Sequence, residues 1–228
     1  MNKKIVSVLA VSAMAVSAFG MGVSAEEDLI TVGYAQVGAE SDWRTANTES
    51  FKSTFVEENG YKLIFDDAQQ KQENQIKAIR SFIQQEVDYI VVAPVVETGW
   101  ETVLQEAKDA GIPVILSDRM MDLADDSLYT CWVGGDFVKE GETCGDWLAA
   151  YLEEQGRGEE EINIVTIQGT IGASAQIGRT EGFANKMKEH ENWKMLDMQS
   201  GEFTQAKGQE VMESFLKSYD DIDVVICE

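Results

Sequence analysis

Acidic, guanidinium and aromatic side chains follow several apolar runs of this sequence. Asp118 and Arg119 come directly after the run IPVILS, where a buried strand would end in a loop. Arginine presents several donors in one fixed plane, and an adjacent carboxylate accepts hydrogen bonds while balancing its charge. An aromatic ring adds a flat apolar face. A sugar ring needs both kinds of partner, because it carries hydroxyls at its edge and C–H groups on its faces.

The same residue types follow other apolar runs. They are Ser41, Trp43 and Arg44 in AESDWR, Trp100 in APVVETGW, Arg179 after QGTIGAS, and Phe203 in SGEF. In open α/β sheets, ligands bind beyond the carboxyl ends of the strands, because the loops converge there. We therefore predict one ligand-binding site that contains these residues together with Asp118 and Arg119.

Each of these residues also has a purely structural interpretation. Asp118 would cap the following turn, Arg119 would lie on the surface, and Arg179 would lie on the surface of a helix that begins near Ser174. The aromatic residues would belong to the core; they are Trp43, Trp100 and Phe203. The residues taken alone leave both interpretations open.

Eight short apolar runs would have to position these side chains. They are LITVGYA (29–35), KLIFDDA (62–68), DYIVVAP (88–94), PVILSD (113–118), LYTCWVGG (128–135), INIVTIQG (162–169), KMLDMQS (194–200) and DVVICE (223–228). Several are nearly continuous in Val and Ile, which is typical of strands buried on both faces. Amphipathic helical segments lie between them. This alternation predicts an α/β protein with parallel sheets covered by helices.

Two of the helical segments have a clear apolar face. In 69–86 it consists of Ile76, Ile79, Phe82 and Ile83, and in 204–219 of Met212, Phe215, Leu216 and Tyr219. The polar stretch GRGEEE at 156–161 follows five strands and suggests a boundary between two lobes. We therefore predict an N-terminal lobe over 26–157 and a partial C-terminal lobe over 158–228. The second lobe is expected to be incomplete, because DVVICE reads as a buried strand without its covering helix.

The N-terminus and the charge restrict the function further. Lys3 and Lys4 precede an apolar stretch that ends at VSA, which is the layout of a secretory signal peptide over 1–25. A membrane anchor is the alternative interpretation. The formal net charge of −23 argues against nucleic-acid binding, which needs a basic surface. The sequence thus predicts export to the periplasm or the extracellular space.

The reactive residue types are few. There are three cysteines, Cys131, Cys144 and Cys227, and one histidine. A bridge between Cys131 and Cys144 is one option, and small buried thiols are the other. No CxxC spacing is present, so we expect no metal site, and we expect no cofactor. Without a GxSxG, HExxH or Walker motif, the sequence gives little support to an enzyme.

Several long segments resemble a known family. They are TVGYAQVGAESDWR, QQKQENQIKAIRSFIQQEVDYIVVAPVVETGW, IPVILSDR, TIQGTIGASAQIGRTEGF and SGEFTQAKGQEVMESFLK. They are similar to the sugar-binding proteins of bacterial ABC importers, in the galactofuranose-binding branch of the ribose and galactose-binding superfamily. The resemblance implies a type I periplasmic binding protein, in which two Rossmann-like lobes close on one monosaccharide.

The resemblance also implies roles for individual residues. Asp118 and Arg119 match ligands of the ring hydroxyls, and Arg179 matches an arginine from the second lobe. The resemblance places Trp43, Arg44 and Phe203 at positions where the family has stacking or ring-contacting groups. It also implies, by the same matching, that Ser41 and Trp100 belong to the ligand site. Because the resemblance expects further strands and hinge crossings after Glu228, it implies a C-terminally truncated chain.

The implied function is capture of galactofuranose or a related sugar for an ABC permease, by a monomer that contacts the membrane only through that permease. A sugar sensor for a chemoreceptor or sensor kinase is the main alternative. A sugar-acting enzyme and a sugar-responsive transcription regulator are further alternatives, and the acidic charge and the N-terminal segment disfavour the regulator.

Overall fold

The computed structural model describes residues 29–228, so the predicted signal peptide over 1–25 lies outside the described residues. In chain order the main elements are β1 (Ile30–Gln36), α1 (Asp42–Thr54), β2 (Tyr61–Asp67), α2 (Gln72–Gln84), β3 (Tyr89–Val92), α3 (Glu101–Asp109), β4 (Val114–Ser117), β5 (Cys131–Val133), α4 (Phe137–Glu154), β6 (Ile162–Gln168), α5 (Ser174–Met187), β7 (Trp193–Ser200), α6 (Gln205–Ser218) and β8 (Val224–Cys227). Within 29–228, no helix is both long and apolar enough to cross a bilayer.

Two parallel sheets organise these elements. The first has the order β2-β1-β3-β4-β5 and the second the order β7-β6-β8. Every strand pair is parallel, for example Val32 of β1 beside Tyr89 of β3. All eight predicted strands are confirmed, as is the α/β class with a partial second lobe. The continuous Val and Ile runs form strands covered on both faces, which is why they could be recognised.

The first sheet has a core on each face. On one face, Phe82 of α2 and Leu104 of α3 pack against Ile90 and Leu116. On the other face, Tyr34 packs with Phe51 of α1, and their ring centres are 4.1 Å apart. The sheet is thus the middle layer of a three-layer lobe, and its strand ends are fixed by helices on both sides.

The predicted apolar face of α6 is only partly correct. Phe215 is fully buried and packs with Val165 of β6, but Leu216 is 64% exposed. Adjacent helical residues point about 100° apart, since the helix has roughly 3.6 residues per turn. Because Phe215 points directly at the sheet, Leu216 lies outside the buried face in this helix, and the prediction for Leu216 was wrong.

Helix α4 packs on the second sheet. Leu148 and Leu152 of α4 contact Ile162 and Ile164 of β6. The sequence-based division at 157/158 instead places α4 in the first lobe. Because a helix belongs to the core that it buries, we propose that the boundary between the lobes lies between β5 and α4.

Helices α4 and α5 approach each other through glycines. A Cβ at Gly145 would lie 2.5 Å from Cβ of Lys186, and a Cβ at Gly178 would lie 2.6 Å from Cβ of Phe137. A Cβ at Gly182 would overlap the carbonyl oxygen of Val138. Any larger residue at these positions would force the two helices apart.

Two hydrogen bonds join the lobes directly. The N–H of Glu97, after β3, donates to the carbonyl of Gly172, before α5, at 2.9 Å. The N–H of Met120, after β4, donates to Oγ of Ser174 at 2.9 Å. The loops at the strand ends of the two sheets therefore meet, and the space between them forms a cleft.

Candidate functional site

A cavity of about 780 Å³ lies in the cleft between the two sheets. It is bordered by the loops that follow β1, β4, β5, β6 and β7, at the carboxyl ends of parallel strands. Most of the predicted site residues line it, namely Ser41, Trp43, Arg44, Asp118, Arg119, Arg179 and Phe203. The cavity is where the general rule for open α/β sheets places a ligand.

The first-lobe wall is a buried cluster of charges. Arg44 at the start of α1 donates from Nε to Glu40 at 3.0 Å and from Nη2 to Asp118 at 2.7 Å. Arg119 lies 3.5 Å from the same Glu40 oxygen. Because each carboxylate is shared or paired, the charges nearly balance, which lowers the cost of burying them.

Arg119 is held in place from several sides. Its Nη1 donates to the backbone carbonyl of Val95 at 3.2 Å, and its guanidinium lies 5.0 Å from the ring centre of Phe203. Burial, together with repulsion by Arg44, lowers the pKa of Arg119 to about 10. The side chain remains a cation at neutral pH and has little freedom to rotate.

Three buried polar atoms of this wall have no hydrogen-bond partner within the described residues. They are Oε2 of Glu40, Nη1 of Arg44 and Nε of Arg119. An unpaired buried polar atom costs about 1–3 kcal/mol, and more when it belongs to a charged group. All three atoms belong to residues that line the cavity, and each atom is itself shielded from solvent.

The second-lobe wall is built on the α4 and α5 pair. Arg179 of α5 donates from Nε to Glu140 of α4 at 2.9 Å, and its guanidinium lies 5.1 Å from the ring centre of Phe137. Its side chain is about 30% exposed. Arg179 therefore faces the cavity from the side opposite Arg119, and part of its donor edge is accessible.

The other predicted residues play different roles at the cavity. Ser41 is the N-cap of α1, and its Oγ accepts from the N–H of Arg44 at 3.1 Å. Trp43 is 57% exposed, and its ring centre lies 4.8 Å from the Arg44 guanidinium. Phe203 adopts a left-handed backbone conformation with φ 57° and packs over Gly169, where a Cβ would overlap its ring.

Trp100 does not line the cavity. Its side chain is fully buried in the core formed by α2, α3 and the first sheet. Its indole N–H donates to the carbonyl of Val96 at 2.7 Å. The structural interpretation therefore applies to Trp100: its ring turns under the loop after β3 instead of into the cleft.

Three acidic residues at the cavity were not predicted as site residues. Glu40 and Glu140 pair with the arginines described above, and Glu228 accepts from Thr180 at 2.5 Å and from the N–H of Gly169 at 3.2 Å. Burial raises the pKa of Glu228. Glu40 lies within the segment AESDWR, four residues before its partner Arg44, and this spacing is a signal from which the pair could have been predicted.

The cysteines and metal-ligating residues do not form a site in the described part of the chain. Cys131, Cys144 and Cys227 are all free thiols. Within 29–228, no group of three His, Cys, Asp or Glu side chains is arranged to hold a metal ion.

Comparison with known proteins gives consistent matches. The family described as periplasmic binding protein domain matches residues 32–228. The galactofuranose-binding protein YtfQ of Escherichia coli K12 is 51% identical over 210 residues, covering 92% of this chain and 63% of that protein. A Mycobacterium smegmatis protein solved in complex with β-D-fucofuranose is 51% identical with a TM-score of 0.83, covering 87% of this chain and 64% of that one.

A third relative is the periplasmic binding protein component of the arabinose ABC transporter of Shewanella sp. ANA-3, bound to α- and β-L-arabinofuranose. It is 48% identical with a TM-score of 0.80, and the match covers 87% of this chain and 64% of that protein. The chain thus spans less than two thirds of the length of each of these relatives.

Proposed function

This chain belongs to the periplasmic binding protein domain family, and from that premise we propose that it captures a monosaccharide in the furanose form for delivery to an ABC permease. The observation that carries the proposal is the buried charge cluster of Glu40, Arg44 and Arg119, which lines one cavity. We assign ligand contact to these residues together with Asp118, Arg179, Trp43 and Phe203.

The chemistry of the cavity supports a neutral sugar as ligand. The arginines of both walls are already paired with carboxylates, Arg44 with Asp118 and Arg179 with Glu140. A sugar acid or phosphate would therefore find few uncompensated positive charges. The exposed ring of Trp43 and the ring of Phe203 provide apolar faces for the C–H groups of a sugar. A volume of about 780 Å³ lies within the usual range for small-molecule sites, roughly 300–1,000 Å³.

The relatives support the furanose form and import. Their names and bound molecules are galactofuranose, β-D-fucofuranose and L-arabinofuranose, and one is a component of an ABC transporter. These names favour import over a sensory role. In the proposed mechanism, the sugar contacts Arg119 of one lobe and Arg179 of the other, so it favours the closed arrangement by its greater affinity for that state. The closed protein then docks on the permease outside the cytoplasm.

The ring form can be tested with two locked sugars. 1,4-Anhydro-D-galactitol has a furanose-type ring and 1,5-anhydro-D-galactitol a pyranose-type ring, and neither interconverts in solution. At about 100 times its dissociation constant, a ligand stabilises the folded state by about 2.7 kcal/mol. At roughly 2–4 °C per kcal/mol, this raises the melting temperature by roughly 5–10 °C. We expect this shift for the furanose analogue and a much smaller one for the pyranose analogue.

The same melting assay tests the site. We expect Arg119→Lys to reduce the shift, because lysine cannot reproduce the planar donor edge. Arg80→Lys is the matched control, because Arg80 pairs with Glu106 on the exposed surface. Equal shifts with both ring forms would refute the furanose specificity. No shift with these analogues, L-arabinose or D-galactose would refute sugar capture.

A further inference from the structure

The backbone of Asp118 has a conformation that is unusual for a residue with a side chain. Its φ is 63°, in the left-handed region, directly after the last residue of β4. Aspartate tolerates this region better than most residues, but the conformation still costs free energy and persists only where the surroundings impose it. The contacts that impose it should therefore control the direction of the Asp118 carboxylate.

One of these contacts is local, since the N–H of Arg119 donates to the carbonyl of Ser117 at 2.7 Å, and the others come from residues 132–134, in β5 and directly after it. The N–H of Asp118 donates to the carbonyl of Val133 at 2.7 Å. The indole N–H of Trp132 donates to the carbonyl of Asp118 at 3.0 Å. Gly134 leaves the space for both, since a Cβ there would overlap the Asp118 carbonyl oxygen and lie 2.5 Å from Nε1 of Trp132. The backbone of Asp118 is thus held both at its N–H and at its carbonyl oxygen.

The direction of the Asp118 carboxylate depends on this backbone conformation. In the observed conformation its Oδ2 accepts from Nη2 of Arg44 at 2.7 Å, and the side chain is 15% exposed at the cavity. If the backbone relaxed to an extended conformation, Cβ would point in another direction. The pair with Arg44 would then break, and the carboxylate would leave the cavity wall.

We propose that Trp132 and Gly134 are positioning residues for ligand binding, which hold Asp118 in its left-handed conformation so that its carboxylate faces the cavity. The inference rests on the proposed function, because the ligand is taken to be the sugar that binds there. Trp132 acts through its N–H, while its ring packs at the border of the first-lobe core. Trp132→Phe therefore removes the hydrogen bond and keeps an aromatic ring in place.

The first test needs no sugar. Amide hydrogen exchange at residue 118 reports opening of the bond between Asp118 and Val133. We expect exchange at Asp118 to become about fivefold faster in Trp132→Phe, the factor that corresponds to losing a hydrogen bond worth about 1 kcal/mol. Trp193→Phe is the matched control, because Trp193 lies in the second lobe and stacks on His190. Unchanged exchange at Asp118 in Trp132→Phe would overturn the inference.

The second test uses the locked furanose analogue 1,4-anhydro-D-galactitol. We expect Trp132→Phe to weaken its binding about fivefold in the parent, and less than about twofold when Asp118→Gly is already present. Glycine adopts the left-handed conformation freely and has no carboxylate to direct. Gly134→Ala should weaken binding in the same way as Trp132→Phe.

The two tests distinguish a failure of this inference from a failure of the proposed function. An equal loss of affinity with and without Asp118→Gly would show that Trp132 does not act through the carboxylate, and would overturn the inference. A parent protein that binds none of the sugars, but in which Trp132→Phe accelerates exchange at Asp118, would overturn the proposed function. In that case the role of Trp132 in holding the Asp118 backbone would still be confirmed.

Discussion

Replacing Glu40 by glutamine tests whether the buried charge cluster is arranged as described. The Glu40 carboxylate is 2% exposed and lies 3.0 Å from Arg44 and 3.5 Å from Arg119, each also nearly buried. Glutamine keeps the size of the side chain but removes the negative charge. Among the residues that the structure describes, Asp118 would then be the only anion paired with either of the two buried guanidinium groups.

Removing one member of a buried ion pair costs about 3–5 kcal/mol, because the partner is left uncompensated. Glutamine can still accept one hydrogen bond, so the lower end of about 3 kcal/mol is expected. At roughly 2–4 °C per kcal/mol, the melting temperature should fall by roughly 6–12 °C. The measurement is thermal unfolding by circular dichroism at pH 7 without sugar.

Glu106→Gln provides the matched control. Glu106 accepts from Arg80 at 2.7 Å, but the two side chains are 39% and 48% exposed. Water screens such a pair, so its loss should have little effect. If Glu40→Gln melts within about 2 °C of Glu106→Gln, the charges of the site are not buried as described and the reasoning is refuted.

Three further predictions concern other parts of the fold. Gly182→Ala should lower the free energy of unfolding by about 1–3 kcal/mol in urea, whereas Gly208→Ala, with only an ordinary contact at 3.8 Å, should not. Burial and repulsion by Asp122 raise the pKa of Glu97, so the parent loses stability as the pH rises through that pKa. Glu97→Gln should therefore stabilise the protein at pH 7, and the gain should disappear as the pH falls to the ordinary value of about 4.5; a gain independent of pH would contradict this. Leu216→Gln should change the unfolding free energy by less than about 0.5 kcal/mol, because this side chain lies in water.

The strands could be predicted because a strand that is buried on both faces consists of nearly continuous apolar residues. INIVTIQ of β6, for example, is apolar at positions that face opposite layers. The sequence contains less information about which sheet a helix covers. The apolar residues of α4 show that it is amphipathic, but they do not show which of two sheets it covers. Only the contacts of Leu148 and Leu152 with β6 decide this.

The residues that line the cavity were predicted where the strand order fixes their position and missed where their position depends on side-chain direction. Asp118 and Arg119 follow a strand end and therefore reach the cleft. Trp100 follows another strand end, but the loop after β3 turns its ring into the core. Glu40 pairs with Arg44 only four residues away, but its second partner, Arg119, is distant in sequence and close only in the fold, so the buried cluster could not be predicted.

The two hydrogen bonds between the lobes bear on how long a captured molecule stays. The bonds from Glu97 to Gly172 and from Met120 to Ser174 both hold loops of the two lobes together. A molecule that contacts both walls loses one set of contacts when the lobes part, so these bonds add to the barrier for release without touching the molecule. We therefore expect changes at Ser174 to alter residence time more than the rate of capture.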